Sequence, residues 1–253
     1  MHKIEKVLNS KWGKINYRPN ETIERDDYYK SGIYIDDHNT VYKGKNYIEY
    51  KNDEKLIVVS ELDVKKNTNS RVGELQEFKG VMFKSYIKKL KVNDNILIYL
   101  KKPKLNIVTI IKIWLLMLIL GGWVLPKEYI FFMFGIIVLI GFLYKEIVGI
   151  IRGQKSIELS KNFNKYFCII GEKEEVKRKI NIEIVESLIN FYKKNGISVK
   201  ISIKNKELYL LFDNITIFDN DSLDFSVEIE NCIEINNLLI NELNKDRRDK
   251  NEI

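Results

Sequence analysis

The stretch from Leu105 to Gly153, LNIVTIIKIWLLMLILGGWVLPKEYIFFMFGIIVLIGFLYKEIVGIIRG, constrains this chain more than any other part of it. A bilayer core about 30 Å thick is crossed by about 20 mostly apolar residues rising 1.5 Å each. Residues 105–125 supply one such run, with Lys112 as its only charge. Residues 129–151 supply a second, interrupted only by Lys145 and Glu146. These charges stand near the helix ends, where long side chains reach the headgroups at far lower cost than at the midplane. Pro126 ends the first helix, and the turn Pro126-Lys127-Glu128 is so short that the helices must be antiparallel neighbours. Trp123 and Tyr129 flank the turn, while Trp114 and Tyr144 lie toward the opposite ends, as aromatic belts require. The pattern predicts a two-helix transmembrane hairpin. The other reading of the same residues is a buried hairpin inside a large core.

Flanking charge orients the hairpin. Lys101, Lys102 and Lys104 precede it, Arg152, Lys155 and Lys161 follow it, and its turn offers one Lys beside one Glu. By the positive-inside rule both flanks face the cytoplasm, so a multi-pass protein of the bacterial inner (cell) membrane with both termini cytoplasmic is expected. The start, MHKIEKVLNSKW, lacks the apolar centre of a signal peptide. Three parts follow: a β-rich half over 1–104, the hairpin over 105–153, and an α+β half over 154–253 that folds together with the first.

Within the first half, ETIERDDYYK is helix-like and Ser31-Gly32 stops it. VYKGKNYIEYK, KLIVVSELDV, EFKGVMFKSYI and NILIYL then alternate as strands of a small antiparallel meander. In the second half, SIELSKNFNKYFCII is extended or mixed. Asn181 to Lys194 carries Ile184, Val185, Leu188, Ile189 and Tyr192 on one helical face, with Asn195-Gly196 as its cap. Ile197, Val199, Ile201 and Ile203 alternate with Ser198, Lys200, Ser202 and Lys204, and a tight turn at Asn205-Lys206 leads into ELYLLF. Ser226 to Lys245 is a last amphipathic helix. The expected fold class is α+β: a small antiparallel sheet plus a helix–hairpin–helix C-terminal half, interrupted by the transmembrane hairpin.

Several strings resemble, in order and spacing, a family of uncharacterised bacterial membrane proteins, the domain of unknown function numbered three-one-three-seven. They are KSGIY (Lys30 to Tyr34), VSEL (Val59 to Leu62), FKGVMF (Phe78 to Phe83), FNKYF (Phe163 to Phe167) and EVKR (Glu175 to Arg178), within a span from about Lys14 to Leu243. The resemblance implies a membrane hairpin ahead of one continuous soluble domain. Here the hairpin lies instead between NILIYLKKP and SIELSKNF, which implies one domain interrupted by its own anchor. It implies no activity.

The chemistry-bearing residues form no strong constellation. There is neither a G-x-G-x-x-G loop nor a phosphate-binding Gly-Lys-Ser/Thr stretch, and Gly121-Gly122 falls inside the hairpin, where it permits close helix packing. His2 and His38 are the only histidines. Asp36, Asp37 and His38 are conceivable metal ligands, but adjacent residues of an extended chain point different ways, which favours a solvated turn. The acidic run Asp213, Asp219, Asp221, Asp224 lacks the glycine and terminal Glu of a calcium loop. Ser60-Glu61 and Glu175 with Arg178 read either as site residues or as a strand-end pair and an i,i+3 surface ion pair. Cys168 and Cys232 lie in apolar patterns and read as buried thiols. No catalytic, cofactor-binding or metal residue is assigned.

The net charge of +7 suits an anionic lipid surface. The lysines are scattered among Asp and Glu without an arginine stripe, which argues against nucleic acid. The expected function is a hairpin-anchored interaction or scaffolding domain, with the bilayer and a protein partner or second copy as its contacts. The alternatives are a membrane-bound enzyme acting on lipid or nucleotide through carboxylates, and a subunit of an oligomeric channel or transporter.

Overall fold

The computed structural model describes residues 14–36, 39–52, 55–67, 74–93, 95–101, 157–218 and 226–245. Its strands are β1 (Ile15–Arg18), β2 (Thr40–Lys51), β3 (Lys55–Asn67), β4 (Glu74–Ile87), β5 (Ile96–Leu100), β6 (Phe167–Ile170), β7 (Val199–Lys204) and β8 (Glu207–Asp213). The helices are α1 (Arg25–Lys30), α2 (Phe163–Tyr166), α3 (Lys173–Lys179), α4 (Ile182–Asn195) and α5 (Val227–Asn244). All eight strands join one sheet in the order β1-β2-β3-β4-β8-β7-β5-β6. Every pairing in it is antiparallel.

This sheet corrects the expected fold class. In place of a small meander beside a helix–hairpin–helix half, the β7–β8 hairpin inserts between β4 and β5, so strands from both halves interleave in one surface. The described residues on either side of 102–155 pack as one compact unit. The reason is pairing capacity. β4 presents a free edge from Gly80 to Tyr86, and β8 matches it position for position, from Asp213 to Glu207.

The membrane expectation is corrected as well. Among the described residues no helix is long and apolar enough to cross a membrane. The longest, α5, has 18 residues and is amphipathic, with Glu228 and Glu234 exposed on the face opposite its buried stripe. The fold described is dominated by its sheet, and the multi-pass, inner-membrane placement is not supported by it. Residues 105–153, where the hairpin falls, lie outside the described residues.

One sheet face carries the helices. From α4, Ile184, Leu188 and Phe191, and from α5, Ile229, Cys232 and Leu239, pack on Val59, Val81, Phe83, Ile201, Leu210 and Phe212. Asn181 caps α4 by accepting from the Ile184 amide at 2.8 Å, and Gly196 ends it at φ +66°. Ser226 caps α5 in the same way through the Ile229 amide. Inside the interface, Ser85 of β4 donates to the buried Asn236 of α5 at 3.2 Å.

The opposite face is covered by the strap that holds α1. Ile23 and Tyr28 pack on Val58, Leu62, Val64, Phe78, Met82, Tyr209 and Leu211. The central strands are therefore buried on both faces, which is why KLIVVSEL reads as a continuous apolar run rather than a strict alternation.

Gly80 marks the tightest approach in the sheet. Its φ is +155°, and a Cβ there would lie 2.0 Å from the Phe212 carbonyl oxygen, which is backbone and cannot swing aside. Gly80→Ala is expected to lower stability by roughly 2–3 kcal/mol, measured by urea unfolding. An unchanged midpoint would show that β4 and β8 do not pair as described.

Candidate functional site

The residues that the sequence singles out are mostly structural. Ser60 is buried, donates to the Lys45 carbonyl at 2.9 Å and lies 3.0 Å from the Thr22 hydroxyl, tying strap to sheet. Glu61 is buried on the other face, where it accepts from the Ile217 amide at 2.7 Å and meets Lys45 at 3.4 Å. Glu175 is only 3 % exposed. It accepts from the Asn93 amide at 2.8 Å as well as from Arg178 at 3.0 Å, so it anchors the chain before β5 and is more than a surface pair.

Asp36 accepts from Arg25 at 2.8 Å. His2, Asp37, His38, Asp219, Asp221, Asp224, Lys112, Lys145 and Glu146 lie outside the described residues. Cys232 is buried, and desolvation pushes its thiol well above the ordinary range, while Cys168 is half-buried. Among the described residues no His, Cys, Asp and Glu side chains gather as a metal site.

Asp213 belongs to an arrangement that spacing does not reveal. Lys200 of β7 donates to its two carboxylate oxygens at 2.7 and 3.0 Å and to the Tyr34 hydroxyl of the strap at 2.7 Å. The ammonium lies 5.3 Å from the Tyr34 ring centroid and 5.7 Å from that of Phe78. Tyr34 in turn stacks on the fully buried Tyr28 at 5.3 Å. Burial pulls the Lys200 pKa down, but the hydrogen bonds to Asp213 and Tyr34 outweigh it, and the net shift is upward. Burial raises the Tyr34 phenol even though Lys200 opposes the shift. Nearby, Ser202 donates to the Ser31 carbonyl at 2.5 Å and Lys84 meets Asp27 at 2.7 Å. The arrangement is a polar clamp that fastens the strap, with the donors of Lys200, Ser202 and Lys84 engaged.

The α4–α5 face carries an open groove of about 580 Å³ whose lining includes Phe191, Ile235 and Leu238 beside Asn190, Lys194 and Asn231. Its floor residues belong to the core between helices and sheet.

The candidate site lies at one end of the sheet. β4 ends at Ile87 and runs into exposed Lys88 and Lys89, followed by Lys91 ahead of β5. The β7–β8 turn carries exposed Lys204, Asn205 and Lys206, with Asn205 at φ +56° as a two-residue turn of this kind requires. The Ile87 amide donates to the Lys206 carbonyl at 2.8 Å, which fixes the turn against the end of β4. Because β4, β8, β7 and β5 are successive neighbours, the connections that carry the five lysines all emerge at the same end of the sheet. Tyr86, 38 % exposed, stands at the edge of the group.

Among the described residues no ion pair involves Lys88, Lys89, Lys91, Lys204 or Lys206, whereas Lys45, Lys65, Lys84 and Lys200 each pair with a carboxylate. The nearest described acid along the strands, Glu207, is engaged by Lys84 at 3.5 Å and by the Tyr209 hydroxyl at 2.6 Å. Sequence reasoning missed this cluster because its members are separated by more than a hundred positions.

No model of a known protein family matches this chain, and no curated protein or solved structure matches it either.

The clamp generates a prediction. Asp213→Asn leaves the half-buried Lys200 without its carboxylate and is expected to cost about 2–3 kcal/mol in urea unfolding. Adding Lys200→Met should restore part of that loss. Because the folded pKa of Lys200 is raised, its stabilisation is complete below the ordinary value of 10.5 and is lost as pH climbs through the folded value. The difference between wild type and the double variant should therefore be constant from neutral pH to about pH 10 and shrink above it. A difference that disappears near neutral pH would sink the assignment.

Proposed function

We propose that this chain is a binding module that docks an anionic partner on the lysine-rich end of its sheet. One observation carries the reading: five exposed lysines gathered at one end of the sheet have no carboxylate partner among the described residues, whereas Lys45, Lys65, Lys84 and Lys200 are each paired. Such a cluster raises the local concentration of negative partners and accelerates their arrival. Lys204 is held in the β7–β8 ladder, and the Ile87–Lys206 hydrogen bond fixes the neighbouring turn against the end of β4, so part of the charge pattern is pre-positioned before binding. Tyr86 adds the kind of partly exposed aromatic that interfaces favour. An interaction domain matches this arrangement better than an enzyme, because Glu61, Glu175, Lys200 and Asp213 are committed to holding strap, loops and helices.

A photo-crosslinking amino acid at Tyr86, introduced in cells that make the protein, should give a discrete adduct. Lys88→Glu/Lys89→Glu/Lys206→Glu should remove that adduct while leaving the thermal midpoint within a few degrees. A crosslinker at Val227, 72 % exposed at the start of α5 and remote from the lysines, serves as the control. Equal adducts from both positions, or none from Tyr86 in folded protein, would refute the reading.

A further inference from the structure

We infer that the partner held by the lysine end is an acidic polypeptide segment in extended conformation. The inference rests on the binding reading above and adds the chemical class of the occupant. The first argument is the kind of cation. All five charges are ammonium groups on flexible stems, with no arginine among them. Planar guanidinium forks read guanine edges and phosphates through paired bonds, whereas an ammonium is a compact point charge that meets an anion from many directions, so the lysine set lacks the paired-bond geometry of nucleic-acid readers. The second is the aromatic content. Tyr86 is the only exposed large hydrophobic residue in the segments that form this end. Single-stranded nucleic acid is held by successive stacking platforms, and one ring supplies a contact but no path for consecutive bases.

The third argument is dimension. Neighbouring strands lie about 4.8 Å apart, so the ends of β4, β8, β7 and β5 extend over about 14 Å. An extended peptide laid across them advances about 6.6 Å per two residues, and its same-side chains would meet the row at about three positions. A short segment with carboxylates at alternate positions therefore matches the row, with Tyr86 beside it to take an apolar or aromatic side chain.

The test measures binding of three labelled probes to the full chain at one ionic strength. They are an alternating Glu-Ala decapeptide ending in Trp, a ten-nucleotide oligothymidylate, and vesicles of phosphatidylglycerol and phosphatidylcholine. The peptide is expected to bind about tenfold or more tightly than either of the others. Its affinity should fall at least tenfold in Lys88→Glu/Lys206→Glu. It should change less than twofold in Lys193→Glu/Lys194→Glu, a matched reversal at the far end of α4. Tighter binding of the oligonucleotide or the vesicles, with the same dependence on Lys88 and Lys206, overturns the polypeptide assignment and leaves the anionic-partner reading standing. Equal loss in both reversals shows a response to net charge alone and overturns the site. No binding of any probe by folded protein removes both readings together.

Discussion

The pairing of β4 with β8 is the constraint on which the rest of the structure depends. It joins positions from Gly80 to Tyr86 with positions from Asp213 to Glu207, across about half of the chain's length. Closing a loop of that size costs on the order of 4 kcal/mol before any contact is made. The return comes from burial on both faces. Phe83 and Phe212 meet edge to face at 5.5 Å beneath α4, while Met82, Tyr209 and Leu211 are sealed under the strap. At Gly80 the strands approach so closely that no side chain fits against the Phe212 carbonyl. Without this ladder the β7–β8 hairpin would have no inner neighbour, and β5 and β6, which attach through it, would lose their place in the sheet.

Covering the second face has electrostatic consequences. A one-layer helix packing would have left Lys200, Ser202 and Asp213 in water, where they would need no partners. The strap takes them partly out of water, and each is answered: Lys200 by Asp213 and Tyr34, Ser202 by the Ser31 carbonyl and Asn95. Polar groups arranged in this way contribute little net stability, since their desolvation offsets most of what the contacts return. They do make one placement of the strap much better than its neighbours, because any shift along the strands would leave a buried ammonium or hydroxyl unanswered.

Legibility in the sequence followed the range of the interaction. The helix from Ile182 to Asn195, with Asn181 before it and Gly196 after it, is written in local periodicity and capping residues. So is the β7–β8 hairpin, from the alternation of Val199 to Lys204 and the Asn205 turn. Strand order was not legible, because the match between β4 and β8 depends on two apolar runs that any other edge could also have used. The role of Glu175 was hidden for a similar reason: i,i+3 spacing explains Arg178, but only the fold brings the Asn93 amide to the same carboxylate. The strands themselves were legible in VYKGKNYIEYK, KLIVVSELDV and EFKGVMFKSYI, and β2, β3 and β4 are long; what local pattern does not carry is which edge each of them meets.

The lysine end shows how a distributed signal becomes a local one. Read linearly, Lys88, Lys89, Lys91, Lys204 and Lys206 are ordinary members of a lysine-rich chain with 35 acidic residues to balance 42 basic ones. Two ammonium groups about 7 Å apart repel by roughly 0.6 kcal/mol in bulk water before salt screens them. A single exchange of Lys for Glu would relieve that repulsion, and the β-structure would tolerate it at an exposed strand end. The same fold does so elsewhere, setting Lys65 against Glu74 and Lys84 against Asp27 and Glu207. Stability therefore does not account for concentrating unpaired charge at one end. The proposed carboxylate-bearing partner would convert that repulsion into attraction at the moment of contact and release the counter-ions that the lysines otherwise hold.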